Sequence, residues 1–329
     1  MNQLFFPAFL LLVLLSTCAP PQKESAVTEE APADRPKIVF VTGDEEYRSE
    51  ESMPMLAAIL ERELDAETVV GYSLDSSGVI DPNNVYHISR LDELADADLM
   101  VVFTRFRQPP AEMAAKITDY AESGRPMVGF RTATHAFRYT EQQDSALMHL
   151  NDEWPTEVFG QQWITHHGHF EDGHGRLTEV SLVQDRANSP ILNGVKPFEA
   201  YSWLYHVDGG DWQLAGDSKP LLMGHSLRSN HEEAGRLDEY PLDNPVAWTK
   251  TYTGKSGDPA RVFFTTLGHP FDFKEASMRK LALNGIYWAL GREDSIPADG
   301  VDADFAGPYD PNNSGFGDKY KIGLRPESR

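Results

Sequence analysis

Four short apolar runs set the terms for this chain. Residues 37–42 (KIVFVT), 98–103 (DLMVVF), 126–130 (PMVGF) and 262–267 (VFFTTL) are rich in β-branched and large apolar side chains. Each stops at a polar or glycine-containing loop. Runs of this length and composition read as strands buried on both faces. Helical patterns separate the first three: residues 53–63, with Ser52 as N-cap, and residues 109–122, which open on two prolines and stop at Gly124. A further strand is expected over 67–73 and a closing helix over 274–290. This alternation predicts an α/β fold, a mostly parallel sheet with helices on both faces. Ligands of such sheets bind outside the carboxyl ends of the strands, so the loops that follow these runs are where a site is sought.

The rest of the chain is less regular. A short helix is expected over 154–160, and strands over 177–183, 200–207, 221–225 and 246–252, joined by Gly- and Asp-rich turns. There is no internal repeat, and one domain is expected over 36–293. Residues 294–329 carry many Asp, Gly, Pro and Asn and read as an irregular tail. The apolar run over 5–15 is too short to span a bilayer and has the length of a signal-peptide core. Leu15-Ser16-Thr17-Cys18 follows and is similar to a bacterial lipoprotein box. Residues 1–18 are therefore expected to be a signal peptide with Cys18 as the lipidated residue, and 19–35 a disordered tether. The chain is then exported to the periplasm or cell surface and touches membrane only through its lipid. The alternative is a plain secretory signal.

Charge and cysteine usage exclude other classes. A net charge of −22, from 29 basic and 51 acidic residues, argues against nucleic acid or an anionic membrane surface as partner. Cys18 is the only cysteine, so no intrachain disulfide can form. The folded part can have neither a thiol nucleophile nor a Cys-based zinc site. There is no phosphate-binding glycine loop, dinucleotide fingerprint or Gly-x-Ser-x-Gly elbow.

The chemistry-bearing residues cluster after the strands. The run 262–267 is followed by Gly268, His269 and Pro270, with Asp272 as a neighbour able to orient the imidazole. PMVGF is followed by Arg131 and His135, and KIVFVT by the acidic loop that holds Glu45 and Tyr47. In His166-His167-Gly168-His169, an extended strand would turn His167 and His169 to one face, a geometry for a divalent metal such as zinc. The alternative is a hydrogen-bonded strand end with no metal. His135, His269, His167 and Asp272 are the candidate catalytic groups. Glu45, Tyr47, Arg131, Trp163, Tyr205 and His206 are the candidate substrate contacts, the aromatic ones because sugar faces stack on such rings.

Several ordered segments carry a family likeness: GDEEYRSEES, PMVGFRTATHAF, WPTEVFGQQWITHHGHF, SPILNGV, NPVAWTKTY, RVFFTTLGHPFDF and NGIYWALG. Over 36–293 the chain resembles the ThuA-like (trehalose utilisation) family of the class I glutamine amidotransferase-like superfamily. The resemblance implies a flavodoxin-like arrangement. In glutamine amidotransferases the loop after a strand like PMVGF holds a cysteine nucleophile. Here Arg131 and Thr132 stand there, so thioester chemistry is unavailable and the chain is not a glutaminase. His269 looks like the histidine that serves as base in those enzymes, without its partner. The resemblance further implies disaccharide catabolism through 3-keto sugars, with a small carbohydrate as substrate and a lyase or hydrolase step on an oxidised glycoside. The alternatives are a carbohydrate-binding lipoprotein that catalyses nothing, and a metal-dependent hydrolase of another small substrate.

Overall fold

A computed structural model of the protein describes Met1 and residues 35–210 and 212–326. The expected signal peptide, Cys18 and most of the tether lie outside the described residues. The strands are β1 Lys37–Gly43, β2 Glu67–Gly71, β3 Leu99–Thr104, β4 Met127–Phe130, β5 Gln162–His166, β6 Thr178–Leu182, β7 Phe198–Ala200, β8 Tyr205–Asp208, β9 Lys219–Ser226, β10 Asp243–Thr253 and β11 Pro259–Thr265. The helices are α1 Ser49–Leu64, α2 Ala111–Glu122, α3 Glu141–Asp144, α4 Glu153–Phe159, α5 Asn230–Glu233 and α6 Ala276–Ala289.

Nine strands form one mixed sheet in the order β2-β1-β3-β4-β11-β10-β9-β6-β7. The half from β2 to β11 is parallel, and β10, β9, β6 and β7 extend it in antiparallel pairs. The apolar runs fill the parallel half because both of its faces are covered. In β1, Ile38 and Phe40 point into a core shared with Met53 and Leu56 of α1 and Leu281 of α6. Val39 and Val41 point into the opposite core with Ile117 of α2 and Val158 of α4. The α/β fold expected from the alternating runs is the fold observed.

Two elements differ from expectation. Helix α1 begins at Ser49, four residues before the periodic pattern, and Ser52 lies inside it. The chain turns into the helix through Arg48 in the left-handed region at φ 57°. Residues 200–207 do not form one strand. β7 closes the large sheet, the chain bends over 201–204, and β8 pairs antiparallel with β5 in a separate two-stranded ribbon. The run is apolar enough for a strand, but its two ends belong to different layers. Residues 296–326 contain no helix or strand and pack along the domain surface.

Close packing at the sheet fixes one glycine. A Cβ on Gly285 of α6 would lie 2.3 Å from Phe263 Cδ1 in β11, whose ring is fully buried. Alanine improves helix propensity by about 1 kcal/mol. Overpacking a fixed ring costs about 1–3 kcal/mol and should outweigh it. Gly285→Ala is therefore expected to lower the thermal midpoint. A midpoint equal to or above wild type in a thermal melt would show that α6 can slide off Phe263.

Candidate functional site

The loops after β1, β3, β4 and β11 meet around Arg131, the first residue beyond β4. Its backbone is in the left-handed region at φ 42°, and the side chain is fully buried. The guanidinium lies between two aromatic faces, 4.1 Å from the Tyr47 ring centroid and 4.4 Å from that of Tyr205. Nη1 donates to Thr266 O at 2.8 Å and Trp203 O at 3.3 Å, and Nη2 donates to Tyr47 Oη at 3.0 Å. Stacking and carbonyl acceptors hold the cation where no carboxylate touches it. Asp44, fully buried, fastens the neighbouring loop. It accepts from the backbone N–H of Glu46 and Tyr47 and, at 2.5 Å, from Thr132 Oγ1.

Beside this cation lies a second charged layer. Glu45 bridges Arg105 and Arg107 through its two carboxylate oxygens. Arg105 Nε lies 3.1 Å from Glu46 Oε2, although its N–H is not directed at that oxygen. Burial pushes the Glu46 carboxyl up to about 7, against the pull of Arg105. A carboxyl poised near neutrality can both take and return a proton. His135, buried after β4, stands among Phe106, Trp163 and Tyr205 at ring separations of 4.9, 5.2 and 6.0 Å. Burial, then the positive charges of Arg105 and Arg131, hold its imidazole neutral, well below the usual histidine range. His166 belongs to the same wall. Burial pushes it down to about 4, and Arg131 and Arg105 act in the same direction. Glu46 also lines a small cleft of about 130 Å³ walled by Trp203, Phe170, Phe316 and Ser314.

The structure brings Glu45, Tyr47, Arg131, His135, Trp163 and Tyr205 together. It places the other candidates elsewhere. His269 is fully buried on the flank, its ring 6.4 Å from that of Tyr47, and both ring nitrogens are satisfied. Nδ1 accepts from Phe271 N–H at 3.1 Å, and Nε2 bonds Ser314 Oγ at 2.9 Å. Asp272 does not orient that imidazole. Its carboxylate accepts from the backbone N–H of Gly268, His269 and Tyr201 and from Ser202 Oγ, tying the loop after β11 to the bend after β7. His167 and His169 do not share a face. β5 ends at His166, and Gly168 at φ 88° turns the chain. His167 is buried against Ser229 Oγ at 2.7 Å, whereas His169 is in solvent with Glu233 at 2.9 Å. His206 faces away from Tyr205, toward Trp212 and Tyr240. Among the described residues no group of three or more His, Asp or Glu is arranged to hold a metal ion. The donor set does not fit zinc, and no step is routed through one.

The residues that alternation alone misses are Glu46 and His166. A bulge between Trp163 and His166 interrupts the pairing of β5 with β8. Two side chains that regular alternation would send to opposite faces therefore turn the same way. No sequence signal marks that bulge. Glu46 stands in an acidic run of the kind that is usually solvated, yet it is buried, as are Asp44 and Glu50 beside it.

Comparison with known proteins follows the same lines. A family model described as ThuA, trehalose utilisation, matches residues 37–289. The chain is similar to the solved structure of a ThuA-like protein from Parabacteroides merdae ATCC 43184, at 18 % identity and a TM-score of 0.48, over 78 % of this chain and 90 % of that one. It is also similar to one from Bacteroides uniformis ATCC 8492, at 16 % identity and a TM-score of 0.49, over 84 % and 98 %. No curated protein matches it.

The environment of His269 makes its worth depend on pH. Burial, then Arg131, holds its folded pKa well below 6.5, so the unfolded chain binds the extra proton first. Its contribution is whole above pH 6.5 and is lost as pH falls below it. His269→Asn should cost about 2 kcal/mol at pH 7.5. The gap between the melting midpoints of variant and wild type should narrow by pH 5. A gap that stays constant from pH 7.5 to 5 would show that His269 does not titrate on unfolding.

Proposed function

Because the chain belongs to the ThuA (trehalose utilisation) family, we propose that it is an exported enzyme of glycoside breakdown acting on a sugar that carries a ring carbonyl. One observation carries the reading: a buried carboxyl, Glu46, pushed up to about 7 by burial with the Arg105 cation at 3.1 Å. A 3-keto glycoside suits this arrangement. The carbonyl acidifies the C–H at C2, and the glycosidic oxygen at C1 is then placed for elimination.

The Glu46 carboxylate takes the C2 proton, and the electron pair of that C–H bond delocalises onto the carbonyl oxygen. Arg105, beside Glu46, is the group able to stabilise the developing negative oxygen, and His135 offers a neutral imidazole among Phe106, Trp163 and Tyr205. Collapse of the enolate forms the C1–C2 double bond and breaks the C1–O bond, and Glu46 returns its proton to the departing oxygen. The products are an unsaturated 3-keto sugar and the departing sugar with a free hydroxyl at the former glycosidic oxygen, with no change in oxidation state overall. Arg131 orients this assembly from below through Tyr47 and Tyr205 and itself stays in place.

The test is turnover of 3-keto-trehalose by the purified chain. Glu46→Gln should lower kcat by about a hundredfold or more, in keeping with the loss of a general base. In wild type, kcat should rise through pH 7 as Glu46 ionises, and that limb should disappear in the variant. A wild-type chain that consumes no keto-glycoside, or a Glu46→Gln variant with unchanged kcat, would sink the proposal. Export by lipid anchoring rests on the similarity of Leu15-Ser16-Thr17-Cys18 to a lipoprotein box. Cys18→Ser is expected to move the protein from the membrane fraction to the soluble fraction of the producing cell, and an unchanged distribution would count against it.

A further inference from the structure

The family match ends at residue 289, yet one wall of the cleft beside Glu46 comes from beyond it. Residues 313–316 are tied into the site at every position. Asn313 Nδ2 bonds His174 Nδ1 at 2.7 Å, and Ser314 Oγ bonds the buried His269 at 2.9 Å. Gly315 N–H donates to Glu46 O at 2.8 Å, and Arg48 donates to Gly315 O. Further anchors hold the segment on both sides: Tyr309 Oη donates to Pro270 O at 2.9 Å, and Lys321 pairs with Glu51 at 2.5 Å. This stretch of tail is built into the domain and is bonded to the backbone of the residue whose carboxyl the proposed reaction uses.

Two aromatic rings at the cleft mouth have no packing reason to be exposed. Phe316 is 45 % exposed and Phe170 62 %, whereas Phe103, Phe130 and Phe273 are fully buried. Their centroids lie 6.3 Å apart at 66°, and Arg105 stacks on Phe316 at 5.0 Å. The cleft that both rings line is about 130 Å³ and also carries hydrogen-bonding groups of Asn313, Ser314, His174 and Lys319, with Glu46 alongside. Aromatic faces together with dense, mostly uncharged donors and acceptors match a pyranose ring, which has an apolar C–H face and a polar rim.

We propose that residues 313–319 of the tail, with Phe170, form a sugar-ring subsite that selects the glycoside this chain acts on. Phe316 supplies the stacking face. The subsite rests on the reading of Glu46 as the reacting carboxyl, because it places a ring against that group. Selectivity then lies in a segment beyond residues 37–289, which the family model matches.

The experiment separates the two claims by measuring binding of unoxidised trehalose, which does not turn over, to the full chain by calorimetry. Phe316→Ala should weaken binding by about tenfold, Phe316→Tyr should retain it, and Phe170→Ala should weaken it in the same direction. Phe305→Ala, an exposed ring stacked on Tyr309 and remote from the cleft, should bind as wild type does. Equal binding by Phe316→Ala and wild type, or no binding of trehalose by wild type, overturns the subsite. Binding that depends on Phe316 in a chain that turns over no keto-glycoside leaves the subsite standing and removes the proposed reaction.

Discussion

Everything at the carboxyl ends of the strands is arranged around one buried cation. Arg131 stands fully buried at the end of β4, held by two tyrosine faces and two backbone carbonyls. It joins the loop after β1 through Tyr47, the loop after β11 through Thr266, and the β5–β8 ribbon through Tyr205. A buried charge needs partners, and the loops that meet both Nη groups of Arg131 are tied to one another through it, while its Nε has no hydrogen-bond partner among the described residues. Close approach reinforces the arrangement. Gly268 lies so near that a Cβ there would be 3.1 Å from Arg131 Cβ.

The same cation shapes the chemistry of its neighbours. Burial keeps His135 and His166 neutral, and this cation with Arg105 acts in the same direction, so these imidazoles offer hydrogen bonds without adding charge. Glu46 feels the opposite balance, since burial outweighs the cations and keeps its carboxyl near neutrality. A site whose histidines are neutral and whose carboxyl is half-protonated suits proton transfer at carbon. It does not suit thiol chemistry, for which the chain has no residue beyond position 18.

The parts of the fold that were legible in the sequence share a physical cause. The four apolar runs read as strands covered on two faces, because a short run with apolar side chains at successive positions is hidden only when both faces are covered. Segments lacking that redundancy were not legible. Residues 200–207 read as one strand because composition does not reveal a bend between layers. His167 and His169 read as a pair because a left-handed glycine between them is invisible to a period-two rule. Asp272 looked like a partner for the imidazole three residues before it, and instead holds backbone N–H groups from two separate loops.

By itself the sequence determined the α/β class, the placement of polar loops after buried strands, and the absence of a thiol nucleophile. These follow from hydrophobic periodicity and residue inventory, which are local. Only the tertiary structure decided which of those polar residues act together. Burial takes Glu46 out of solvent together with Asp44 and Glu50 of the same acidic run, a bulge turns His166 inward, and a tail without regular structure folds back to wall the cleft. Each depends on contacts between segments far apart in the chain, and such contacts leave no periodic trace in the sequence.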